Sequence, residues 1–154
     1  MPRRPNVFAG PYLDRLAHLR KDEGWLEEAL HSDRTRLVPI HDSRNLLART
    51  DAGYEAVFLD MTAVRWDRAE MILLGQQGDA VYFAIGLADP AAVAPSLPGS
   101  EARYEDLRTT AGHLPGEQAG ILAYARAMLH WRHRHRFCGA CGSPTASASA
   151  GPVM

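Results

Sequence analysis

Between Arg36 and Leu87 the chain divides into five short apolar runs separated by turn signals: RLVPIH, NLLAR, YEAVFLDM, MILLG and AVYFAIGL. Runs of this length and texture read as strands of an antiparallel sheet. DAG at 51–53 and GQQGD at 75–79 supply hairpin turns. Pro39 has no N–H to give to a ladder, which assigns its strand to an edge. The last two runs are almost unbroken in hydrophobicity, so their hairpin belongs at the centre of the sheet.

On either side the spacing becomes helical. Residues 12–31 carry leucines at 13, 16 and 19, then Trp25, Leu26, Ala29 and Leu30 beyond Gly24. Two short amphipathic helices are predicted, with a break between Lys21 and Gly24 where Asp22 caps the second. The three prolines in residues 89–102 mark a surface loop, and YEDLR at 104–108 reads as a short extended segment. Pro115-Gly116-Glu117 then opens a helix of roughly 18 residues. Its Ile121, Tyr124, Met128 and Trp131 fall on one apolar stripe suited to core or dimer packing. The final ASASAGPVM contains nothing to build a core and reads as a loose tail.

A chain of 154 residues that is 46% hydrophobic and 23% charged belongs with globular proteins, as one domain or a domain with a small appendage. The start, MPRRPNVFAG, lacks the apolar run of a signal peptide. The longest apolar run, residues 80–88, is far short of the ~20 residues of a membrane span. A cytoplasmic protein with no membrane partner is expected. Charge is unevenly spread: from Gln118 onward there are four arginines and no acid, whereas residues 1–117 carry 13 basic and 18 acidic groups, a net of −5. A basic end on an acidic body suits phosphate, a second copy of the chain, or plain solvation.

The basic end, RHRHRFCGACGSPT at 132–145, holds the only two cysteines, Cys138 and Cys141. The Cys-x-x-Cys spacing brings two thiolates to one metal on a tight turn that Gly139 and Gly142 relax, as in a zinc knuckle. Tetrahedral zinc takes four ligands, and the residues after Cys141 include no Cys, His, Asp or Glu. Three completions stay open: imidazoles from His133 and His135, two chains pooling their cysteines, or free thiols without zinc. A redox dithiol favours its first cysteine at a helix N-terminus, whereas here the helix precedes the motif.

The sequence has no Gly-x-Ser-x-Gly elbow, phosphate-binding Walker loop or His-Glu-x-x-His motif. His18, His31, His41 and His113 are scattered. Glu27-Glu28, the only adjacent glutamate pair, has the surroundings of an amphipathic helix.

Taken together, FAIGL (83–87), YEDLR (104–108), LPGEQAGILAYARAMLHWRHRHRFCGACGSPT (114–145) and, more weakly, LDRLAHLRKDE (13–23) resemble the NADH pyrophosphatase family of Nudix hydrolases. Members of that family run from a Nudix-like N-terminal domain through a helix into a four-cysteine zinc ribbon, then into a catalytic Nudix domain. The resemblance implies residues 1–133 as the Nudix-like domain with its linker helix, and 134–154 as a truncated ribbon and tail. The implied fold class is α+β: a small antiparallel sheet with N-terminal helices and a C-terminal linker helix leading into an incomplete zinc ribbon.

The family's Nudix box, G-x5-E-x7-R-E-U-x-E-E-x-G-U, has no counterpart: around Glu27-Glu28 its Arg position is Glu23 and its Gly position is Leu30. The resemblance therefore implies the non-catalytic N-terminal part of a homologue, inactive alone, with no catalytic residue and without the Mg²⁺ or Mn²⁺ that full-length relatives use. Those relatives cut NAD(H) into nicotinamide mononucleotide and AMP, remove NAD caps from RNA, and form dimers. Cys138 and Cys141 match the first two zinc ligands, leaving a half site. Arg108 matches the arginine of a motif that approaches the bound dinucleotide. The alternative is a dimerisation or nucleotide-binding module with a zinc shared between two chains.

Overall fold

The computed structural model describes residues 6, 8, 13–96 and 101–154. Tyr12 of the first predicted helix and residues 97–100 of the proline-rich loop lie outside the described residues. The elements are α1 (Glu23–Leu30), β1 (Thr35–His41), β2 (Arg44–Thr50), β3 (Gly53–Ala56), β4 (Met71–Gln77), β5 (Ala80–Gly86), β6 (Arg103–Glu105), α2 (Leu107–Thr110) and α3 (Gly116–Arg134). Short 3-10 turns lie at Arg68–Glu70, Pro90–Ser96 and Ala111–His113.

The α+β class holds, with a six-stranded sheet of order β3-β2-β1-β5-β4 in which β6 also pairs with β2. The sheet is mixed rather than antiparallel. β1 and β5 run parallel from Thr35/Val81 to Ile40/Gly86, while the other pairs are antiparallel. Both faces of the sheet are buried. Alternate residues of the same strands enter different cores: Leu37, Leu46, Leu73, Phe83 and Ile85 pack with Leu26 and Leu30 of α1. Val38, Leu47, Ile72, Leu74 and Ala84 pack with Ile121, Leu122 and Ala125 of α3. Strands covered on both faces read as unbroken apolar runs.

Pro39 is buried inside the sheet, which corrects its assignment to an edge. The β1–β2 hairpin pairs only at His41/Arg44 and Ile40/Asn45. At the next step Pro39 has no N–H to donate, and Leu46 O accepts from Val57 N at 3.0 Å instead. The chain beyond β3 then enters this fork, where Leu59 and Leu37 exchange hydrogen bonds at 2.8 and 3.0 Å.

β5 is interior, paired with β1 and β4, but β4 ends the strand order, so the predicted central hairpin lies at one end of the sheet. The outer edge of β4 is covered by three separate devices. Asp14 and Gln76 exchange backbone bonds at 2.9 and 2.7 Å, and the buried Arg20 guanidinium donates to Leu73 O (2.8 Å) and Leu74 O (3.2 Å). Leu73 N donates to Ala150 O at 2.9 Å. Such cover satisfies an exposed row of backbone groups that otherwise invites aggregation. It also replaces two expectations. Residues 17–21 form turns rather than a helix, because Leu16 takes a left-handed backbone (φ 51°) and Arg20 reaches across to β4. The tail is docked rather than loose: Ala148 bridges Val153, and Gly151 is buried against Ile72.

α1 begins as predicted, with Asp22 accepting from Trp25 N at 3.0 Å. α3 covers 19 residues. Its buried line is Ala119, Ile121, Leu122 and Ala125, while Tyr124, Met128 and Trp131 are half-buried, so the apolar face is rotated from the predicted stripe.

Candidate functional site

The two cysteines lie on a small hairpin that leaves the C-terminal end of α3. Cys138 N donates to Ser143 O at 2.8 Å, Gly142 N to Cys138 O at 2.9 Å and Thr145 N to Arg136 O at 3.0 Å, and Phe137 bridges Pro144. Gly142 sits at φ +72°, where a residue without Cβ is unstrained. Both thiols are free; Cys138 is half-buried and Cys141 exposed. Cys141 Sγ lies 3.4 Å from Ser143 Oγ. Hydrogen bonding by the Ser143 hydroxyl and backbone, with a smaller effect from Cys138, holds the Cys141 thiol below its usual range. A metal-binding thiolate is favoured by the same shift.

The two free thiols supply two donors of a type that zinc takes. Among the described residues no group of three or more His, Cys, Asp or Glu converges as a metal cluster. His135 does not turn towards the thiols: its Nδ1 lies 2.7 Å from Trp131 O and its ring lies over that indole, 4.9 Å between centroids. Two thiolates fit zinc by type and fall short of it by number.

The end of α3 from which the hairpin leaves is anchored to the body of the domain. Arg132, in the last turn of α3, folds back and donates to Glu70 O at 2.5 Å and to Ala69 O at 3.3 Å. Its guanidinium is also 3.5 Å from the Glu70 carboxylate.

Arg108 is the second residue of α2, and the three residues of its motif divide the work. Asp106 caps the helix by accepting from Arg108 N at 3.0 Å, Leu107 is buried in the core, and the Arg108 side chain points outward. Asp106 also meets the guanidinium of Arg108 at 3.3 Å and that of Arg126, on α3, at 3.2 Å. The backbone bond from Arg108, followed by contacts to both arginines, holds the Asp106 carboxyl below the usual carboxylate range. Beside this cluster is a cavity of about 450 Å³, lined by Leu107, Arg108, Ala123, Arg126 and His130. Arg126 and His130 were not singled out in the sequence, although their spacing of four puts them on one side of a helix. Arg108 and the thiols are not brought together: the hairpin follows the last residue of α3, about 12 Å of helical rise beyond Arg126.

Residues 34–131 match the NADH pyrophosphatase-like rudimentary NUDIX domain, and residues 133–154 match the NADH pyrophosphatase zinc ribbon domain. The chain belongs to the NADH pyrophosphatase-like family. It is 25% identical to an NAD-capped RNA hydrolase of Schizosaccharomyces pombe, over all of this chain and 50% of the relative. It is 32% identical to Nudix hydrolase 19, chloroplastic, of Arabidopsis thaliana, over 62% of this chain and 23% of the relative. With the NAD-capped RNA hydrolase NudC of Stutzerimonas stutzeri it shares 37% identity, over 50% of this chain and 28% of the relative. The chain thus spans half or less of the length of these relatives. Among the described residues no helix is long and apolar enough to cross a membrane.

Proposed function

We propose that these residues form the N-terminal, non-catalytic portion of an NAD(H) pyrophosphatase-type hydrolase, acting on NAD(H) or NAD-capped RNA in the cytoplasm. The observation that carries this reading is the order of a Nudix-like domain followed directly by a zinc ribbon, on residues that contain no Nudix box. On this reading the carboxylates that hold Mg²⁺ or Mn²⁺ and activate water lie outside these 154 residues. Arg108 contributes a guanidinium for the phosphate or adenine of the dinucleotide, supported by its outward position beside an open cavity. Incubation of the purified chain with NADH and Mn²⁺ is expected to release no AMP. Release at a rate proportional to protein concentration, and absent from a mock purification, overturns the non-catalytic assignment.

The half-complete donor set favours a second reading, in which two copies pool Cys138 and Cys141 around one zinc and dimerise. Its support is the pair of free thiols with no third donor converging among the described residues. One zinc per two chains, lost in Cys138→Ser, is the expected result; a metal-free monomer removes this reading.

A further inference from the structure

From Gln118 onward the chain has four arginines, three histidines and no acid. Three of these side chains form a row. Arg126, His130 and Arg134 follow one another at intervals of four on α3, so they lie along one side of the helix over about 12 Å. The cavity beside Arg108 fixes which side this is: Arg108, Arg126 and His130 line it together, with Ala123 and Ala127 as small neighbours. His130 and Arg134 are exposed, and Arg126 is half-buried. The row therefore starts at Arg108, passes Arg126 and His130, and runs out towards the cysteine hairpin.

Ordinary helix stabilisation does not account for the row. Cations complement the helix dipole only in the last turn, which covers Arg134 but neither Arg126 nor His130. A solvated helix face is normally laced with acids three or four residues from its bases, and no residue of α3 after Glu117 is acidic. The acids of neighbouring elements do not neutralise it either. Asp106 is shared between the guanidinium groups of Arg108 and Arg126, so that cluster keeps an excess positive charge. Asp42, next to the cavity-lining Ser43, has its carboxylate 3.7 Å from His41 Nε2. Glu105 stands opposite Asn45 in the β2–β6 ladder and, among the described residues, forms no ion pair with the row.

We propose that this row is a docking track for the phosphate backbone of single-stranded RNA. The proposal rests on the pyrophosphatase-type reading above: Arg108 takes the dinucleotide end, and the RNA body that follows the cap leaves along His130 and Arg134. Charge complementarity selects this occupant. Guanidinium and imidazole N–H groups donate to phosphate oxygens without reading bases. A single file of donors in steps of about 6 Å suits a repeating phosphate chain better than the scattered acids of residues 1–117 in a second copy.

Fluorescence anisotropy of the purified chain with a labelled, uncapped single-stranded RNA dodecamer tests it. The probe has no NAD cap, so its binding reads the row alone, while AMP release from NADH reads the pyrophosphatase assignment separately. Saturable binding is expected, with log K falling linearly against log salt by about 0.7 for each phosphate neutralised. Arg134→Gln should weaken binding several-fold and make that slope shallower by about 0.7. His130→Gln should weaken binding as well; both residues are exposed, so neither change removes core packing. Arg49→Gln deletes the same charge from an exposed position on β2 and should leave affinity and slope unchanged. Absence of saturable binding, or an equal loss in Arg49→Gln and Arg134→Gln, overturns the proposal. So does self-association of the RNA-free chain that Arg134→Gln abolishes, which gives the row to the acidic body of a second copy.

Discussion

Pro39 stands opposite Leu46 in the extended register of the β1–β2 hairpin, and the Leu46 carbonyl takes its hydrogen bond from Val57, at 3.0 Å. The absent proline donor keeps this fork open. Pro39→Val installs a better strand former, yet it is expected to destabilise the protein. The new buried N–H competes with Val57 for one carbonyl, and a buried donor left without a partner costs about 1–3 kcal/mol. Urea unfolding should show a lower midpoint, and hydrogen exchange should show faster exchange at Val57. Stability equal to that of the parent chain would mean that proline does not set the fork.

The same residue shows why the sequence was legible in part. Every apolar run between Arg36 and Leu87 contributes strand or bridge residues, because period and turn chemistry are local. Strand order is non-local, and Pro39 has two structural solutions: an edge, or a fork filled by a third segment. Leu13, Leu16 and Leu19 carried a helical spacing, but the long-range bonds of Arg20 to Leu73 and Leu74 override it. The tail failed for a similar reason, since its small residues bring no apolar bulk and dock through a backbone bond and a buried glycine. At the candidate site, the cysteine pair and Arg108 were visible as motifs. Asp106 as a shared anchor for Arg108 and Arg126 was not, since Arg126 lies 20 positions along the chain from the acid.

Arg132 ties the C-terminal end of α3 to the 3-10 turn before β4, and its side chain is only 13% exposed. Burial lowers the guanidinium pKa, with Glu70 opposing the shift. Arg132→Ala leaves the Glu70 carbonyl, bonded at 2.5 Å, without its charged donor. A loss of about 2–3 kcal/mol in chemical denaturation is expected. Arg132→Lys should recover only part of it, since an ammonium cannot span the carbonyls of Ala69 and Glu70 with a planar fork. Full recovery by Lys would reduce the role of Arg132 to charge alone.

Gly151 controls the docking of the tail. A Cβ there would lie 2.6 Å from Ile72 Cγ2, and the residue sits at φ +114°, so alanine is excluded by both space and backbone. Gly151→Ala should release the tail and expose the Leu73 amide, which donates to Ala150 O. The readout is loss of exchange protection at Leu73 while the amides of β5 stay protected. Unchanged protection at Leu73 would show that the tail is not held by this contact.

Tyr104 carries a buried hydroxyl with no hydrogen-bond partner among the described residues, and burial pushes its pKa up to about 12. In the unfolded chain it ionises near ~10. The stabilising contribution is therefore complete below about pH 10 and is lost as pH rises from there through about 12, because the unfolded state releases its proton first. Absorbance titration of the five tyrosines should show a late phenolate step that Tyr104→Phe removes. Tyr82, which burial also raises, remains in the difference spectrum as an internal reference. The Phe variant deletes an unsatisfied polar atom while keeping the ring against His41, so its thermal midpoint at pH 7 should equal or exceed that of the parent. A lower midpoint would show that the hydroxyl has a partner, such as a bound water, whose loss outweighs the relief of desolvation.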